Sequence, residues 1–199
     1  MEENSLKSVD CAKYFMEQVV ERLRRIILDY DVFSSVAEKL DWLDVEEQHE
    51  EWRHTYPLGM QIEVYRFPQD YLVLHHVEDA YVRTVLSDMA HYEEWEPGFW
   101  EISQEERRHC LKETGMRALC KEYTAFKETR LIQRDWTYLA KEIQYFANVS
   151  KVSVSVQKPF LDLTENAKVI ELGGWYNGDA EYLAIKRNVL LVVSCGCWD

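Results

Sequence analysis

No apolar run of about 18 residues, the length a helix needs to cross a bilayer, occurs anywhere in this 199-residue chain. The opening residues, with Glu2, Glu3 and Asp10, place no basic region ahead of an apolar run, so no secretory signal is expected. There is no glycine-rich phosphate loop, no G-x-S-x-G elbow and no CxxC pair, which removes the common sequence signs of nucleotide binding, hydrolase nucleophiles and thiol redox chemistry. Internal repeats and low-complexity tracts are missing too. Basic residues are scarce in one half only: residues 1–106 hold 9 Lys and Arg against 25 Asp and Glu, net −16, while residues 107–199 hold 14 against 11, net +3. The two sums give the −13 of the whole chain.

A surface of net −16 repels nucleic acid and anionic lipid and attracts cationic partners. The chain nonetheless has the apolar content to fold. Hydrophobic residues make up 47% and aromatics 13%, above what an acidic disordered protein carries. The length is enough for one sizeable core, and residues 1–199 are read as a single domain. Five cysteines, an odd number in a chain too large to need staples, read as reduced thiols in a cytoplasmic protein. Cys195 and Cys197 flank one glycine, but no further ligands stand in register with them, so no metal or cofactor is expected. Cys110 and Cys120 fall within helical patterns and read as small buried groups.

Apolar residues at three- and four-residue steps predict a helix from Cys11 to Tyr30, through Phe15, Val19, Leu23, Ile26 and Ile27, with Asp10 as N-cap. A second helix is predicted from Val32 to Trp42. Asp44 to Glu51 reads as a solvated helix or a surface loop. Met60, Ile62 and Val64 alternate with polar neighbours and predict a strand, with Tyr71–Val77 as its hairpin partner. Helical spacing returns at Val77, Tyr81, Val85, Met89 and Tyr92. Ser103 with Glu106 fits a capping box opening a long helix through Leu111, Ala118, Leu119, Tyr123 and Phe126, with Gly115 and Thr124 as weak points. A further stripe, Ile132, Trp136, Leu139, Ile143 and Phe146, extends the helix to about Ala147.

The last quarter predicts strands. Val152, Val154 and Val156 alternate with polar residues, Val169–Leu172 and Tyr182–Lys186 follow, and Val189–Val193 is apolar throughout, as in the middle of a sheet. Asn177-Gly178 supplies a turn. The fold class is α+β: helices packed on a mostly antiparallel sheet, helix-rich over three quarters and strand-rich at the end.

Among chemistry-bearing residues, His49, Glu50 and His54 resemble half of a zinc-protease helix, yet histidines five apart diverge by about 140° and do not share a metal. His75 and His76, on a strand, would point to opposite faces. Runs of acids such as Glu93, Glu94 and Glu96 are normally all solvated, which argues against paired acid and base catalysis. Trp42, Trp52, Trp95, Trp100, Tyr81 and Tyr92 are interleaved with the acids. Rings of this kind anchor protein interfaces, and surrounding carboxylates steer a basic partner; the plainer reading is core packing, favoured for Trp42 and Tyr81. The partner-binding candidates are Asp44, Glu46, Glu47, Glu50, Glu51, Trp52, Glu93, Glu94, Trp95, Glu96 and Trp100.

Residues 169–185 combine an apolar strand, Gly173 and Gly174, then Gly178 and Asp179, then an alternating strand. This segment resembles part of the SUKH superfamily. Many of its members are immunity proteins that neutralise toxins in bacterial competition, so the resemblance implies an inhibitor or antitoxin. The charge argument points the same way, since nuclease toxins bind polyanions and are often basic. The leading expectation is therefore a non-enzymatic, cytoplasmic inhibitor of a basic toxin domain, binding neither nucleic acid nor membrane, whose helix-rich half is large enough to support a homodimer. The alternatives are a small hydrolase with a cleft at His75 or His76, and a phage-encoded regulator whose acids imitate DNA.

Overall fold

A computed structural model describes residues 2–40, 46–48, 59–66, 74–91, 103–149, 151, 153–173 and 180–196. The architecture is α+β, with helices early in the chain and strands concentrated at its end. The chain groups into two compact units, Met1–Trp42 with Val73–Lys127 and Leu43–Leu72 with Glu128–Asp199.

The first unit contains α1 (Glu2–Leu28), α2 (Tyr30–Lys39), α3 (Leu74–His91) and α4 (Gln104–Phe126). Val19, Leu23, Ile26 and Ile27 are buried along α1, as their spacing predicts. Asp10 lies inside α1 and not at its cap. The capping aspartate is Asp29, whose carboxylate accepts from the backbone N–H groups of Asp31 at 3.0 Å and Val32 at 3.3 Å, ending one helix and starting the next. Phe33 and Ala37 then turn inward. The Phe33 and Phe126 rings meet edge to face at 5.7 Å, and the Tyr123 hydroxyl donates to the Ile27 carbonyl at 3.2 Å, so α4 holds both earlier helices.

The predicted strand at Tyr71–Val77 does not form where it is described, because Leu74–Val77 are the first turn of α3. Its stripe of Val77, Tyr81, Val85 and Met89 is fully buried, and that burial outweighs the local β preference of the run before it. The capping box is present as read: Ser103 Oγ accepts from the Glu106 N–H at 3.2 Å, and the Glu106 carboxylate accepts from the Ser103 N–H at 2.9 Å. Those bonds hold the Glu106 carboxyl below its ordinary pKa. The box is therefore complete above the usual carboxylate range and loosens as pH falls through the lowered value. Neither Gly115 nor Thr124 interrupts α4. At Gly115 a Cβ would stand 2.4 Å from the Leu86 carbonyl oxygen and 2.9 Å from its Cα, so the backbone of α3 lies directly against this glycine of α4.

The second unit contains β1 (Glu46–Gln48), β2 (Gly59–Arg66), β3 (Arg130–Arg134), α5 (Trp136–Val149), α6 (Val154–Thr164), β4 (Lys168–Gly173), β5 (Ala180–Lys186) and β6 (Val189–Gly196). The strands form a six-stranded sheet in the order β1-β2-β6-β5-β4-β3, with every described pairing antiparallel. The continuous apolar run of β6 lies between β2 and β5, and Val189 to Val193 are all buried, as a central strand requires. Register places Met60, Ile62 and Val64 opposite Cys195, Val193 and Leu191. These residues share one face with Tyr182, Ala184 and Val169, and on it pack Leu139, Ile143, Phe146 and Ala147 from α5 and Phe160 from α6. A two-residue turn at Arg187 and Asn188 joins β5 to β6, with Arg187 left-handed at φ 54°.

Three expectations are corrected here. Glu46–Gln48, read as part of a helix or loop, is an edge strand. Ile132 belongs to β3 and not to a helix, because Asp135 breaks the stripe: its carboxylate accepts from the Thr137 N–H at 2.9 Å and starts α5. Val154 and Val156, read as a strand, form the first turn of α6, and the buried residues after them, Gln157, Phe160 and Thr164, follow helical spacing.

Candidate functional site

Of the residues proposed to meet a partner, Glu46 and Glu47 fall in β1, where they are the Cα partners of Arg66 and Tyr65. β1 is an end strand of the sheet among the described residues. Asp44, Glu50, Glu51, Trp52, Glu93, Glu94, Trp95, Glu96 and Trp100 lie outside the described residues, as do His49, His54, Trp42 and Tyr92.

Several described acids of the first half already serve the fold. Asp29 caps α2 and Glu106 completes the box of α4. The Glu78 carboxylate pairs with Arg22 at 3.1 Å, joining α3 to α1. Glu63 accepts a hydrogen bond from the Tyr65 hydroxyl. Among the described acids of the first half, Glu21, Asp31 and Glu38 are solvent-exposed. Tyr81 is a core ring, 1% exposed, as its place on a helix face indicated.

His75 and His76 are successive residues in the first turn of α3, with ring centroids 4.1 Å apart, and not residues on opposite faces of a strand. Among the described residues no group of three or more His, Cys, Asp or Glu is placed to hold a metal ion. Of the described thiols only Cys195 is buried; Cys110 is half-buried and Cys120 exposed, against the expectation that both helical cysteines are core groups.

The sequence did not signal a polar cluster in the second unit. Arg134, at the end of β3, donates through Nε to the Glu171 carboxylate of β4 and lies with its guanidinium 4.7 Å from the Tyr138 ring centroid. The Glu171 bond holds the guanidinium still more firmly protonated. Tyr138 stands 6.3 Å from Tyr182, which is the Cα partner of Glu171. Burial, with Cys195 and Glu142 nearby, raises the Tyr182 phenol well above its ordinary pKa. A permanent cation and a phenol held neutral do not exchange protons near neutrality, so the cluster works as a clamp across β3, β4, β5 and α5.

The raised phenol has a measurable consequence. Its contribution to stability is complete below the ordinary tyrosine value of about 10 and is lost as pH rises from there toward the raised folded value, because the unfolded chain ionises first. Tyr182→Phe should therefore move the midpoint of alkaline unfolding to higher pH in circular-dichroism titrations. An unmoved midpoint would show that this phenol does not govern the alkaline limb.

Only reasoning about three-dimensional register finds this cluster, since Arg134, Tyr138, Glu171 and Tyr182 share no spacing along the chain. No helix among the described residues is long and apolar enough to cross a membrane. No protein-family model, curated protein or solved structure matches the chain.

Proposed function

We propose that this chain is a cytoplasmic, non-enzymatic binding protein that inhibits a basic protein partner, acting as an immunity protein that covers a nuclease-like toxin domain. The observation that carries the reading is the net −16 of residues 1–106 beside the net +3 of residues 107–199. Such a division concentrates an attractive field for a cationic surface in one half of the sequence, while the near-neutral half supplies most of the sheet. Glu46 and Glu47 support it by their place in β1, an end strand of the described sheet. The resemblance of residues 169–185 to SUKH proteins supports the same class of partner.

The mechanism is occlusion. Carboxylates steer the partner into encounter and pair with its Lys and Arg side chains, and Trp52, Trp95 and Trp100 supply the apolar anchors that slow dissociation. Stopped-flow association with the basic partner should slow steeply between about 50 and about 500 mM salt, as the screening length shortens to a few ångströms. Glu93→Gln, Glu94→Gln and Glu96→Gln together should lower the association rate about tenfold with little change in melting temperature. Rates indifferent to both salt and these substitutions would remove the electrostatic basis of the proposal. Binding to a DNA-processing enzyme, and to no toxin domain, would favour the DNA-mimic reading.

A further inference from the structure

We draw no further inference here: the strongest candidate, the face of α5 on which Tyr138, Tyr145 and Val149 stand exposed at helical spacing around Glu142, carries no proposal because nothing in the structure shows what covers it.

Discussion

Gly115→Ala is expected to destabilise the four-helix unit by about 2 kcal/mol, although alanine is the better helix former. The propensity gain at an interior helix position is about 1 kcal/mol. Against it stands a Cβ placed 2.4 Å from the Leu86 carbonyl oxygen, with Leu86 Cα and C also at 3.0 Å or less. These are backbone atoms of α3 and cannot rotate aside as a side-chain end would. The two helices must separate, which strains the packing of Leu119 and Leu86, both 0% exposed. A cost of about 3 kcal/mol for such overpacking leaves a net loss near 2. Hydrogen exchange should show the loss as faster opening of α3 and α4. A stabilised Gly115→Ala chain would mean that the helices do not cross this closely.

Ile143→Ala should cost about 3 kcal/mol through a different mechanism. Ile143 is 0% exposed on α5, in a cluster with Leu139, Phe146, Ala147 and the sheet residues Ile62, Leu191 and Val193. Truncation removes buried methyl and methylene groups and leaves a cavity that central strands, fixed by ladders on both sides, cannot close. Tyr145→Ala is the control, because its ring is 55% exposed and should change stability by less than about 0.5 kcal/mol. Urea midpoints measure both. Equal midpoints for the two variants would contradict the placement of α5 on the sheet.

The elements legible in the sequence are those whose local signal agrees with their tertiary role. β2 shows the alternation of Met60, Ile62 and Val64, β6 shows the doubly apolar run from Val189, and α4 opens on Ser103 and Glu106. The misread elements are those where one period imitates another. Ile132 stands four residues before Trp136, a helical step by coincidence across the break at Asp135. Val154 and Val156 alternate with serines as a strand would, but both are exposed, and the residues that decide the fold, Gln157, Phe160 and Thr164, come later. Pro159 within α6 also disguises a helix, since it removes a backbone donor.

Of the proposed contact surface, charge and aromatic spacing are sequence properties, whereas the clamp of Arg134, Glu171, Tyr138 and Tyr182 depends on strand register that no linear pattern carries. The same limit hid Gly115, which resembles a weak point in a helix until the neighbouring backbone is in view.

The acidic half is proposed to meet a basic protein. The most direct test is capture from native-cell lysate on two immobilised chains, wild type and one with Glu50, Glu51, Glu93, Glu94 and Glu96 changed to Gln, at about 50 mM salt and eluted at about 500 mM. The expected result is a basic protein held by the wild type, released by salt and missing from the variant, with both chains melting at the same temperature. The same proteins retained on both chains, or a neutral or acidic partner held through high salt, would contradict it.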